Sequence, residues 1–110
     1  MTRSIRSFLY AQIVKIVDGD TVDVEFDLGF HLKFKQRVRL HGVNTPERGQ
    51  LGYKEATEFL TKYLNNYCTL DLEQTTDKYG RYIAWIYVDA VLINYEIIKN
   101  GFGVPYMEEQ

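Results

Sequence analysis

Apolar and polar residues alternate without a break from Thr21 to Leu28. Val22, Val24, Phe26 and Leu28 fall on one side, and Thr21, Asp23, Glu25 and Asp27 on the other. A period of two residues is the mark of a half-buried strand. The alternation resumes after Gly29, with Phe30, Leu32, Phe34, Val38 and Leu40 on one face and His31, Lys33, Lys35, Arg37 and Arg39 on the other. A tight turn around Leu28-Gly29 makes the two runs a hairpin. That register pairs Asp27 with His31, Glu25 with Lys33, Asp23 with Lys35 and Thr21 with Arg37. The basic stripe then reads as a solvated face whose ion pairs contribute about 0.2–1 kcal/mol each. Arg39 lies beyond the acidic stripe and has no carboxylate opposite it.

Elsewhere the periods change. Tyr10 to Val17 is β-rich and ends at the turn signal Asp18-Gly19. His41 to Gly49 is punctuated by Gly and Pro, and Pro46 blocks a ladder there. Tyr53, Ala56, Phe59, Leu60, Tyr63 and Leu64 recur at helical spacing, which predicts an amphipathic helix from about Gly52 to Asn65. Strands follow near Tyr67 to Gln74 and Arg81 to Val88, joined by a turn-rich segment. A last helix carries Leu92, Ile93, Ile97 and Ile98, with Asp89 able to cap it and Gly101 to stop it. Three strands, a helix, two strands and a helix predict an all-β/α+β domain over 1–110. Its architecture is a five-stranded oligonucleotide-binding-type Greek-key barrel with two helices.

Composition adds limits. At 110 residues with net charge −2, the chain fits one domain and is not globally basic. A polyanion must therefore be met by a local arginine cluster or a metal. The single cysteine, Cys68, excludes an internal disulfide and reads as a buried strand thiol. The segment Met1 to Tyr10 lacks a long apolar run, so the expectation is a cytosolic chain with neither signal peptide nor membrane span.

The residues with chemistry to offer sit where strands meet loops: Asp20, Arg39, Asn44, Thr45, Glu47, Lys78, Tyr79 and Arg81. No Ser/His/Asp set and no histidine-rich metal spacing suggests itself. Oxygen donors from Asp, Asn, Glu and backbone carbonyls suit a hard cation such as Ca²⁺. Two arginines suit a phosphate, because each guanidinium forks onto two oxygens. The bland alternative is that these are ordinary solvated or capping loop residues. Parity also sets a condition. Asp20 shares the parity of the apolar face and Arg39 that of the polar face, so they converge only if the strand begins after Asp20 or a bulge re-aims it.

Three stretches carry a resemblance: Val17-Asp18-Gly19-Asp20-Thr21-Val22, Val38-Arg39-Leu40-His41-Gly42-Val43-Asn44-Thr45-Pro46-Glu47, and Thr76-Asp77-Lys78-Tyr79-Gly80-Arg81, with a weaker match at Ile93-Asn94. In this order they resemble the staphylococcal nuclease (thermonuclease) family, from roughly Ile13 to Phe102. The resemblance implies the same barrel and Ca²⁺-dependent hydrolysis of DNA and RNA to 3′-phosphate ends. It implies that Asp20, Asn44 and the Thr45 carbonyl ligate calcium. Glu47 takes the place of the general base, and Arg39 and Arg81 grip the phosphate. Lys78 and Tyr79 flank a terminal phosphate, and Tyr106 approximates a base-stacking tyrosine.

Two departures stand out. Asn44 occupies a position that is usually Asp, which removes one negative charge and predicts a weak site, with Kd on the order of 10⁻⁴–10⁻³ M. A C-terminal helix of the classical member is lacking, which suggests a homodimer covering exposed barrel surface. The competing reading is a catalytically weak or inactive nucleic-acid-binding module on the same fold. A weaker one is an inhibitor or structural subunit of a nucleic-acid-processing assembly.

Overall fold

The computed structural model describes residues 8–74 and 79–106. Its strands are β1 (Phe8–Asp18), β2 (Thr21–Asp27), β3 (Lys33–Leu40), β4 (Val43–Asn44), β5 (Tyr67–Gln74), β6 (Tyr82–Val88), β7 (Val91–Leu92) and β8 (Val104–Pro105). Helix α1 (Tyr53–Thr61) lies between β4 and β5, and α2 (Ile93–Lys99) follows β7 directly. Five strands run in the order β3-β2-β1-β5-β6, and β3 closes onto β6 in parallel. The result is the expected closed five-stranded barrel with two helices. The closing seam is short, with pairs Val38–Tyr82, Arg39–Ile83 and Leu40–Ala84. β4 and β8 form a separate two-stranded clasp.

The period-two pattern builds the interior. Ile13, Val22, Val24, Leu40, Leu70, Ala84 and Ile86 are fully buried. Leu60 of α1 and Ile93 and Ile97 of α2 join the same buried cluster. Such burial stabilises by roughly 25 cal/mol per Å² of apolar surface removed from water. Cys68 joins this core, and desolvation pushes its thiol up to about 12.

Three expectations need correction. The hairpin pairs Asp27 with Lys33, Glu25 with Lys35, Asp23 with Arg37 and Thr21 with Arg39, two residues out from the tight-turn register. The connection runs from Leu28 to Leu32, with Phe30 and His31 at φ 53° and 63°, and the Leu28 N–H donates to the Leu32 carbonyl. Phe30 is therefore a turn-tip residue, 95% exposed, and does not belong to an apolar strand face. Arg37 gains a forked bond to Asp23 at 2.9 and 3.3 Å. Arg39 still faces an uncharged partner.

Helix α1 ends at Thr61, before Asn65. Asn65 takes φ 71° and donates its N–H to the Ile13 carbonyl at 2.7 Å, which draws the chain off the helix axis into the barrel. Asp89 does not cap α2, whose N-cap is Leu92. Asp89 and Ala90, at φ 51° and 67°, are the paired left-handed residues of the tight β6–β7 turn.

Candidate active site

Asp18 and Asp20 flank Gly19 at the β1–β2 turn. β2 begins at Thr21, so Asp20 is released from the strand's parity and turns toward Arg39. The turn also packs tightly. A Cβ on Gly19 would lie 2.7 Å from both Ala56 Cβ and Thr45 Oγ1. Glycine at this point lets α1 and the β4 loop press the carboxylates into place.

Asp20 is held by several donors. Its Oδ2 accepts from the Thr45 N–H at 3.2 Å and the Thr45 hydroxyl at 3.1 Å, and Oδ1 accepts from the Thr21 hydroxyl at 3.1 Å. Arg39 Nη2 stands 3.7 Å from the same Oδ2. Arg39 is itself buried. It donates to the Leu40 carbonyl at 3.1 Å and to Asn44 Oδ1 at 3.4 Å, and its guanidinium lies 5.1 Å from the centre of the Tyr106 ring. Arg81 lies in the same way 5.1 Å from the Tyr79 ring. A guanidinium stacked on a ring can still donate through the N–H groups of its own plane.

These groups line one cleft of about 430 Å³, with Asp18, Asp20, Arg39, Asn44, Thr45, Glu47, Tyr79, Arg81 and Tyr106 on its walls. Every site residue singled out in the sequence lies here except Lys78, which is outside the described residues. Glu47 is exposed at the rim, its backbone N–H bonded to Gln50 Oε1 at 2.7 Å.

Asp18 is the member to which sequence reasoning gave no role. Burial and the neighbouring Asp20 carboxylate raise its pKa above the ordinary 3.8, despite a bond accepted from the Asp20 N–H at 3.2 Å. The signal was present in the spacing, since two acids separated by one glycine at a turn must share a mouth. Gly103 was likewise unassigned. A Cβ there would come within 3.0 Å of Thr45 Cγ2 and 3.1 Å of the Asn44 carbonyl, so its bareness lets the α2–β8 segment seat the loop.

The donors suit a hard cation: carboxylates, an amide oxygen and a backbone carbonyl, with no sulfur or imidazole. Among the described residues no group of three or more Asp, Glu, His or Cys side chains clusters closely enough to hold a metal alone. A dication held by such a donor set would need further oxygens from outside the chain.

A small closed barrel with an oxygen-lined cleft that carries two arginines defines the class: a domain of oligonucleotide-binding-type architecture. Residues 37–110, more than half of the chain, match the family model described as staphylococcal nuclease homologue, and the chain belongs to that family. It is 30% identical to a thermonuclease of Staphylococcus hyicus over 84% of this chain and 56% of that protein. It is 34% identical to the protein ParB of Escherichia coli over 89% of this chain and 58% of that one. An uncharacterised Bacillus anthracis protein is 36% identical over 84% of this chain and 45% of its own length. The chain thus spans about half the length of these relatives. Among the described residues, no helix is long and apolar enough to cross a membrane.

Proposed function

We propose that this chain is a calcium-dependent nuclease that hydrolyses phosphodiester bonds of DNA or RNA and leaves 3′-phosphate ends. Support comes from one observation above the rest. Residues from Asp18 to Tyr106, drawn from separate strands and loops, line a single cleft with the charge types this chemistry uses.

Asp20, Asn44 and the Thr45 carbonyl would hold the cation, with Asp18 adding negative potential behind them. Bound there, a dication supplies charge neutralisation to the phosphate oxygens. Arg39 and Arg81 donate to the non-bridging oxygens and hold the phosphorus in line. Arg39 is already immobilised by its bonds to Leu40 and Asn44, so little reorganisation is required as charge builds. Glu47 takes a proton from the attacking water. The new P–O bond forms as the bond to the 5′-oxygen breaks, and that oxygen leaves as a hydroxyl after protonation from solvent. Tyr79 and Tyr106 flank the strand, and Lys78 is assigned to the phosphate by motif alone.

A second reading, the binding module with little or no catalysis, draws on Asn44. Its Oδ1 is engaged by Arg39, and its amide brings no charge to the cation. One experiment separates the two. Single-stranded DNA and RNA are incubated with the protein in Ca²⁺ or in chelator, beside Glu47→Gln and Arg81→Ala. The nuclease requires cleavage that chelator abolishes and that Glu47→Gln lowers by about 10²–10⁴-fold. Retention of the strand without cleavage establishes the module. Cleavage indifferent to chelator and to both substitutions defeats the mechanism.

A further inference from the structure

Far from the cleft, at the opposite ends of β1 and β6, three tyrosines gather on the outer wall of the barrel. Tyr10 pairs with Thr69, and Thr69 pairs with Tyr87, so one row across β1, β5 and β6 reads Tyr-Thr-Tyr. Tyr67 stacks on Tyr10 with ring centres 5.5 Å apart and planes within 5°. The small Thr69 forms a floor between two aromatic walls. The β6–β7 turn closes the end with Asp89. Together they line an open cleft of about 570 Å³.

The chemistry of the lining is selective. Tyr10 and Tyr67 keep 67% and 57% of their surface exposed, although a buried role would be the ordinary use of such rings. Asp89 forms no ion pair among the described residues, and no Lys or Arg lines the cleft. Several other rings of this chain are met by its own cations: Tyr106 by Arg39, Tyr53 by Arg48, and Phe59 by Lys62. Here no cation of the described residues lines the cleft beside the rings and the carboxylate.

Spacing favours a rounded guest. Tyr10 and Tyr87 stand two strands apart, about 10 Å. A cation midway lies about 5 Å from each wall, inside the roughly 6 Å reach of a cation–π contact. A flat base stacked on both walls needs them only about 7 Å apart, at contact distances of about 3.5 Å on each face. A phosphate backbone would also meet Asp89 and no compensating cation.

We propose that Tyr10, Tyr67, Tyr87 and Asp89 form a recognition site for an alkylated ammonium or guanidinium cation, independent of the nucleolytic cleft. The rings supply electron-rich faces and Asp89 the counter-charge. The same chemistry is carried by a methylated lysine or arginine side chain and by a small free cation such as choline.

The test is a titration followed by the tyrosine ring signals in NMR. The probes are tetramethylammonium, choline, a trimethyl-lysine peptide, a dimethyl-arginine peptide and the neutral isostere 3,3-dimethylbutanol. Saturable shifts at Tyr10, Tyr67 and Tyr87 are expected with the cations and absent with the isostere. A peptide that binds more tightly than choline assigns the site to a protein side chain, and the reverse order assigns it to a free cation. Asp89→Asn should weaken cation binding by about tenfold and leave cleavage of DNA unchanged. Asp89 is exposed in a turn, so this variant decides the matter even if Tyr87→Leu fails to fold. Equal binding of the neutral isostere, no saturation by any cation, or occupancy by oligothymidylate in place of the cations overturns the proposal.

Discussion

Asn44 stands at the mouth of the cleft, its amide oxygen 3.4 Å from Arg39 Nη2. An aspartate there would bring a full charge to both the guanidinium and the cation. Charge count helps to set calcium affinity, so Asn44→Asp should bind Ca²⁺ about tenfold more tightly by calorimetry, with faster cleavage at limiting calcium. Asp18 offers a second check at this scale. Its pKa is raised by burial and then by Asp20, so the native state holds this proton more tightly than the unfolded chain does. Its contribution to stability is complete below the ordinary carboxylate pKa of 3.8 and is lost as pH rises through the elevated native value. Asp18→Asn removes that loss. Without metal, the variant should be more stable than the parent at pH 7 and equal to it near pH 3 in denaturant titrations.

At the scale of elements, one buried side chain joins three of them. Asn94 at the start of α2 accepts from the Ile86 N–H at 2.9 Å and donates to the carbonyls of His41 and Ala84 at 2.9 and 3.1 Å. It thereby ties α2 and β6 to the end of β3, one turn of chain from Arg39. Asn94→Ala strands the Ile86 N–H and takes a donor from the His41 carbonyl, while the Ala84 carbonyl keeps the His41 N–H at 2.8 Å. A loss of about 3 kcal/mol is expected in urea unfolding, together with slower cleavage. The weak Ile93-Asn94 match pointed to this position but not to its job, because the His41 carbonyl, 53 residues away, comes beside it only once the sheet closes. The strands themselves were legible, since burial on one face imposes alternation. The hairpin register was not. It turned on Phe30 and His31 taking left-handed angles that bulky residues ordinarily avoid. Among site residues, the convergence of Asp20 with Arg39 depended on where β2 begins, a boundary that pattern leaves open within a residue or two.

For the whole molecule, ligand binding and folding are one equilibrium. A cation that binds only the folded chain adds RT ln(1 + [L]/Kd) to stability. At 10 mM Ca²⁺ and a Kd of about 10⁻⁴–10⁻³ M, the gain is about 1.4–2.7 kcal/mol, which raises the melting temperature by several degrees. Glu47→Gln should retain this shift because Glu47 is not among the groups assigned to the cation. Asp20→Ala should lose it. Differential scanning calorimetry with and without calcium distinguishes the two variants, and an unshifted parent would argue against a cation site at Asp20.

The seam where β3 meets β6 has three residue pairs, and Arg39 is the middle one. A joint so short is the natural place for the wall to part without global unfolding. When it parts, Arg39 moves with β3 and Arg81 with the start of β6, and the proposed two-arginine grip on a phosphate would be lost. A bound strand touching both would act as a stitch across the gap. The His41 N–H, which crosses this join to the Ala84 carbonyl at 2.8 Å, should then exchange through a local opening in the empty protein and slow when an oligonucleotide is held, tying the working lifetime of the barrel to possession of a bound strand.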